Sequence, residues 1–220
     1  MNRASGFAID HVFVMCSPGA PEAAALIHAG LTEGSANTHP GQGTACRRFF
    51  FDNAFLELVW VSDGDEARSA PVAPTRLWER WAERGGRACP FGLIFRAVSG
   101  SPDPPFPTWA YQPSYSPVPI EIANGTPLGE PELFYFRFPR PPGARKDQPT
   151  KHALHLRTLT GLRLGLPGNG PRSDAARAAE ATGLVTFALA ESHIMTLAFD
   201  NETQGRSIDL RPGLPLVLSC

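Results

Sequence analysis

Residues 39–61 read HPGQGTACRRFFFDNAFLELVWV, and this stretch decides the fold. A His-Pro-Gly loop leads into two apolar runs, 44–51 and 54–61, separated by Asp52-Asn53. That is hairpin chemistry, two strands joined by a tight polar turn. Glu57 interrupts the second run. Side chains alternate along a strand, so Glu57 shares a face with Phe55, Val59 and Val61, while Leu56, Leu58 and Trp60 share the other. A lone carboxylate buried on an apolar face costs several kcal/mol unless it is paired, protonated or bound to a cation. Glu57 therefore calls for a partner, and Arg47 and Arg48 on the preceding strand are the nearest cations in sequence.

Upstream, FAIDHVFVM (7–15) is a β-branched and aromatic run and reads as a strand, with His11 on the face of Ile9, Phe13 and Met15. Ser17-Pro18 then opens an alanine-rich helix that Gly30 closes. Downstream, TRLWERWAER (75–84) is a helix with Leu77, Trp78 and Trp81 as its apolar stripe. Strands follow at 91–98, at TWAYQ and PIEIAN inside a proline-rich stretch, and at 132–138. A polar linker covers 141–151. Beyond it the early pattern returns: strand, Pro-Gly, a Ser173-capped helix closed by Gly183, then strands LVTFALA, HIMTLAFD and RSIDLRP. The similarity of VFVMCSPGAPEAAALIHAGL to LRLGLPGNGPRSDAARAAEATGL marks an internal repeat. The chain thus divides into a first βαβββ module (7–62), a helix and proline-rich strand region completing a pocket (63–140), and a second recognisable βαβββ module (152–220).

The 220 residues suffice to bury a substantial core, and the net charge of −1 offers no footprint for nucleic acid or an anionic membrane. Proline, at 23 residues, is about twice its usual share and favours extended connections. The N-terminus lacks the pattern of a signal peptide and no apolar run has membrane-spanning length, so a cytoplasmic protein is expected. The four cysteines form no C-x-x-C pair and read as free thiols. Nucleophile-elbow, H-E-x-x-H and G-x-G-x-x-G motifs are missing from the sequence.

IDHVFV, HPGQGT and FLELVWV, with PFGLIFR (90–96) and KHALHLRTLTGLRLGLPG (151–168), resemble the glyoxalase-like domain proteins of the vicinal oxygen chelate (glyoxalase, bleomycin resistance, dioxygenase) superfamily. The resemblance implies an α+β fold of repeated βαβββ modules, with curved mixed sheets around a pocket. It also implies a His on the first strand and a Glu on the last strand of a module as ligands of a divalent metal, with a matching pair from a second module. His11 and Glu57 fill the first pair. In the second, FGLIFR offers Gly92 or Leu93 where a His is expected, and ELFYFRF offers Phe134 or Tyr135 where a Glu is expected. The resemblance allows homodimers, and no segment specifies an interface.

Imidazole and carboxylate suit Zn, Fe, Mn or Ni, with His11 and Glu57 as metal ligands and Glu57 also a catalytic group. Glu121, inside PIEIA, is the further ligand or general base, with His39 next. His39 begins a loop whose glycines permit close approach to a ligand. Arg47 either clamps a substrate carboxylate or neutralises Glu57. Trp109 and Tyr111, together with Tyr115, form a pocket wall or lid, and Phe134 completes an apolar lining. His152 and His155 read as solvated and His193 as a strand end. Two readings stay open: a metal-dependent lyase, isomerase or dioxygenase acting on a small oxygenated molecule, and a metal-free module that sequesters a small molecule or drug.

Overall fold

The computed structural model describes residues 6–100, 103–137 and 147–220. Residues 1–5, residues 141–146 of the polar linker and Phe138 of the predicted strand 132–138 lie outside the described residues. The first half of the chain forms strands β1 (Phe7–Met15), β2 (Asn37–His39), β3 (Thr44–Phe50), β4 (Phe55–Val61), β5 (Phe91–Ala97), β6 (Thr108–Tyr111), β7 (Ile120–Ala123) and β8 (Glu132–Phe136). They make one sheet in the order β2-β3-β4-β1-β5-β8-β7-β6. β1 pairs with β4 in parallel, β5 pairs with β8 in parallel, and β1 meets β5 antiparallel. One strand arrangement is therefore laid down twice about a central β1–β5 seam.

Helix α1 (Ala23–His28) makes the first half a βαβββ unit, and the second half repeats its strand order with no helix between β5 and β6 among the described residues. α1 starts later than Ser17-Pro18 suggests. Residues 17–22 are spent on turns, with Gly19 and Ala20 at positive φ, and the Glu22 carboxylate accepts from the Ser17 amide. Helix α2 (Gly64–Ala67) follows β4, and α3 (Leu77–Ala82) is shorter than the predicted 75–84. The buried stripe of α3 is also different: Leu77 and Arg80 are buried, whereas Trp78 lies under the Arg68 guanidinium, 4.4 Å from ring centre to carbon. Arg80 is fully buried and pairs with Glu132 at 2.9 Å while donating to the carbonyls of Cys89 and Glu130. That ties α3, and with it Leu77, to β8 and its leading loop.

The two faces of this sheet are both apolar but serve different ends. Val12, Val14, Phe49, Leu56, Leu58, Leu93 and Phe95 face outward into the main core with α1 and the C-terminal sheet. Burial of each such side chain contributes about 1.5–3 kcal/mol. Phe13, Met15, Cys46, Val59, Ile94, Ile122 and Phe134 face inward with Leu77. The alternation read for Phe55, Glu57 and Val59 against Leu56 and Leu58 holds. On β1 it breaks once: the register shifts between Ile9 and His11, so Ile9 joins the outer core while His11 stays inward.

The C-terminal residues form β9 (Leu159–Leu166), α4 (Asp174–Ala181), β10 (Val185–Leu189), β11 (Ile194–Phe199), β12 (Ser207–Asp209) and β13 (Leu216–Ser219), in sheet order β10-β9-β11-β13-β12. Ser173 caps α4 as predicted, its hydroxyl accepting from the Ala176 amide. The two alanine-rich units diverge after the helix. β2 goes to the far edge of its sheet, whereas β10 returns directly beside β9 in parallel.

Turn residues of the first sheet anchor the second. Asn53, in the β3–β4 turn, exchanges two hydrogen bonds with the backbone of Leu159. His152 is not solvated but 5% exposed: it accepts from the Thr32 amide through Nδ1 and bonds the Phe50 carbonyl through Nε2. Burial pushes its pKa below the usual 6.5. The folded chain therefore keeps the ring neutral at pH values where the unfolded chain already binds a proton. Stability is expected to be complete above about pH 6.5 and to decline as pH falls below it. Thermal unfolding between pH 5 and 8 checks this, and His152→Gln should flatten the acid limb.

Candidate functional site

The inward face of the first sheet lines a half-open pocket of about 300 Å³. Residues from β2 and from β6 both line it, although these strands are opposite edges of the sheet, so the sheet curls until its edges face each other. The edges are latched. The Tyr115 hydroxyl donates to Gln42 at 2.9 Å, its ring lies 5.0 Å from that of His39, and Ser114 donates to the Pro40 carbonyl. A β-carbon on Gly41 would stand 2.4 Å from the Ser114 hydroxyl, and the residue has φ +78°, so only glycine serves there. Burial raises the pKa of the Tyr115 phenol, which remains a hydrogen-bond donor.

The walls divide by chemistry. The first half of the sheet supplies all the charged and imidazole groups, His11, His39, Arg48 and Glu57, beside Phe13, Phe55 and Val59, and the second half supplies Ile94, Ile120, Phe134 and Phe136 with the hydroxyls of Tyr111, Tyr115 and Ser116. Glu57 is 6% exposed at the centre of the polar wall. Its Oε2 lies 3.8 Å from His11 Nε2, and its Oε1 accepts from the Cys46 thiol at 3.5 Å. His11 is stacked on Phe55 at 4.2 Å and held by Asp10, whose carboxylate is 2.7 Å from Nδ1. An ionised carboxylate only accepts, so Nδ1 carries a proton toward Asp10, and Nε2 is the nitrogen that faces Glu57. Neighbours in a regular strand point to opposite faces. The irregularity after Ile9 is what lets Asp10 reach the ring beside it. Arg96 stands behind Asp10 at 3.7 Å and balances its charge.

On the other side of Glu57, Cys46 and His39 each bring a donor atom, and one atom from each of the three residues lies within 4.8 Å of the others. His39 bonds Thr44 through Nδ1 at 2.9 Å and Asn37 through Nε2 at 3.1 Å. Burial lowers its pKa and keeps the ring neutral. The Asn37 amide donates, so His39 Nε2 carries the lone pair. Burial and the Glu57 charge raise the Cys46 pKa, so the thiol keeps its proton.

His11, Glu57, His39, Tyr111 and Phe134 thus meet at one cavity. Arg47, Glu121 and Trp109 do not line it. Arg47 occupies the outward face, as its parity on β3 requires, and forms a bidentate pair with Glu33 at 2.6 Å, so it neither neutralises Glu57 nor meets a ligand here. Glu121 alternates with the inward Ile120 and Ile122 and is held by Thr108 and Arg137. Trp109 packs beside Tyr111, at the margin of the inner cluster. Cys46, Asp10, Asn37 and Gln42 are the site residues that sequence reasoning missed. Cys46 was within reach, since it lies two positions from Arg48, the residue paired with Glu57 across the hairpin.

The four-ligand metal arrangement drawn from both halves does not fit these residues. The second half presents Gly92, Ile94, Phe134 and Phe136 inward, none of them a donor. Gly92 has a positive role: a β-carbon there would stand 2.0 Å from the Phe13 ring, which fills the space a ligating side chain would need. Every metal-ligating side chain at the cavity comes from the first half of the sheet.

Residues 9–97 match the family model of the glyoxalase-like domain. Over that span, from β1 to β5, the chain is similar to that domain, in keeping with the vicinal oxygen chelate resemblance, and His11, His39, Cys46 and Glu57 all fall within it. Among solved structures, the chain is similar to a hypothetical protein from Staphylococcus aureus, with a TM-score of 0.49 and 7% identity over 97% of this chain and 99% of that one. No curated protein matches the chain. Among the described residues, no helix is long and apolar enough to cross a membrane.

The seam yields a direct test. Gly92→Ala should force the Phe13 ring into the cavity and destabilise the fold by about 1–3 kcal/mol, the range for overpacking. Adding Phe13→Ala should recover part of that loss, as read by urea unfolding of the single and double variants.

Proposed function

We propose that this chain binds a small oxygenated molecule with an apolar body and acts on its oxygenated end by lyase, isomerase or dioxygenase chemistry. The observation that supports this most strongly is the division of one half-open pocket into a wall with its charged groups centred on Glu57 and a largely apolar wall from β5 to β8. The apolar body lies against Ile94, Phe134 and Phe136, and the oxygens reach Glu57 and His11. The 3.8 Å gap between His11 Nε2 and Glu57 Oε2 is wider than a hydrogen bond, which leaves room for a ligand hydroxyl to bridge the two. His11 acts as general base, since Asp10 holds the tautomer that leaves Nε2 free to take a proton. Glu57 accepts the bond that orients the reacting oxygen, and Tyr115 keeps bulk water out. A divalent ion bound at Glu57 would add Lewis-acid polarisation of the same oxygen. The setting we infer is cytosolic, where the four free thiols stay reduced.

Sequestration without turnover is the second reading, favoured by the largely apolar second half of the cavity. Thermal shift with aromatic carboxylates, catechols and 2-hydroxy ketones, run in chelator, tests the pocket itself. At least one class should raise Tm. Glu57→Gln and Phe134→Ala should each weaken that ligand, Glu57→Gln by about 10- to 100-fold, the worth of a hydrogen bond to a charged group. Ligands that bind equally to both variants would remove this pocket from the reading. Consumption of the bound compound by wild type but not by His11→Ala marks an enzyme, and its recovery unchanged marks a sequestering protein.

A further inference from the structure

The donors around Glu57 are not symmetric. On the His11 side a single imidazole faces Glu57 Oε2, with its other nitrogen held by Asp10. On the opposite side a thiol and a second imidazole converge with the same carboxylate, one donor atom from each of the three lying within 4.8 Å of the others. Among the described residues, the second half of the sheet adds no His, Cys, Asp or Glu to the cavity lining on the His11 side.

Strand register explains the convergence. Cys46 pairs with Asn37 on β2 and Val59 on β4, so His39 and Glu57 are its two diagonal neighbours on the inward face. Diagonal neighbours on adjacent strands have β-carbons somewhat under 7–8 Å apart, within reach of a common atom for side chains of this length. All three donors stand on strands or a strand end rather than on a mobile loop, the arrangement that holds ligand geometry best. Cys46 is fully buried, and His39 Nε2 presents its lone pair to a side-chain amide that can turn away.

We infer that Cys46, His39 and Glu57 form a site for a zinc-class divalent ion on the side of Glu57 away from His11. The thiol proton is released to solvent water as the sulfur–metal bond forms. His39 exchanges the Asn37 amide for the ion, and Glu57 binds through Oε1. Sulfur, imidazole and carboxylate together select Zn²⁺, Co²⁺ or Fe²⁺ over Mg²⁺ and Ca²⁺, which take oxygen donors. Three protein donors leave a position open toward the cavity, the pattern of an ion that meets a ligand rather than one that only supports the fold. His11 is then not a ligand and remains free as a base. The site belongs to one half of the sheet, which removes the need for donors on β5 and β8.

Cobalt provides the test, because its spectrum reports a bound thiolate. The chelator-stripped chain, titrated with Co²⁺, should bind one equivalent and develop a sulfur-to-cobalt charge-transfer band in the near ultraviolet, which Zn²⁺ displaces and Mg²⁺ does not. Cys46→Ser should abolish the band. Cys46→Ser and His39→Ala should each weaken Co²⁺ binding more than tenfold, a loss at least as large as that from disturbing a supporting residue. His11→Ala should retain the band. Asn37→Ala frees the His39 lone pair and should bind Co²⁺ at least as tightly as wild type, an outcome that damaged folding cannot mimic. A cobalt complex without the band, kept by Cys46→Ser and lost in His11→Ala, would overturn the inference and move the ion to the His11 side. Absence of Co²⁺ and Zn²⁺ binding would also overturn it, while the ligand shifts measured in chelator would still stand, so the two readings fail separately.

Discussion

The antiparallel seam between β1 and β5 is the constraint on which the rest of the structure depends. Phe13 sits opposite Gly92 across that seam, and its ring occupies the space that any side chain at 92 would claim. Two four-stranded halves can then close about the seam with their inward faces converging. Outward, the same strands are sealed by α1 and the C-terminal sheet through Leu56, Leu58, Leu93 and Phe95. A sheet apolar on both faces must cover both, and here one face is covered by a second sheet while the other curls upon itself. The cavity is what remains where that curl cannot be filled.

That geometry also explains the lopsided chemistry. Polar side chains cluster where β1 to β4 face inward, and each has a partner: Asp10 for His11, Cys46 for Glu57, Asn37 and Thr44 for His39. Buried polar groups persist only where such bonds are made, so the cluster stands or falls as a network. Among the described residues, the inward face of the second half is built mainly from phenylalanine, isoleucine and Tyr111. The halves share a strand order and have parted in chemistry, one carrying the buried polar cluster and the other a largely apolar wall.

The C-terminal sheet acts on the site from behind. It buries the outward face, and its connections pin the turns of the first sheet through Asn53, His152 and the Glu130 carboxylate, which bonds Ser173 at the start of α4. Arg80, buried with Glu132, fixes the loop that carries Glu130. Breaking such a buried pair by removing one partner costs about 3–5 kcal/mol. Residues far from the cavity thereby set the positions of Leu77 and β8 within it.

Much of this was legible in the chain itself. Alternation along 54–61 placed Glu57 inward beside Phe55 and Val59, because strand periodicity is a local property of the backbone. The hairpin at Asp52-Asn53, the Ser173 cap and the resemblance carried by IDHVFV and FLELVWV pointed to the fold for similarly local reasons. Three things lay beyond local reading. The irregularity after Ile9, which brings Asp10 to His11, depends on β1 meeting β5. The diversion of Arg47 to Glu33 depends on where α1 and the segment that follows it pack. The meeting of Cys46 and His39 with Glu57 depends on register across three strands. Sequence periodicity determines which face a side chain takes; only the folded sheet, through register and curl, decides which other side chains share the space in front of it.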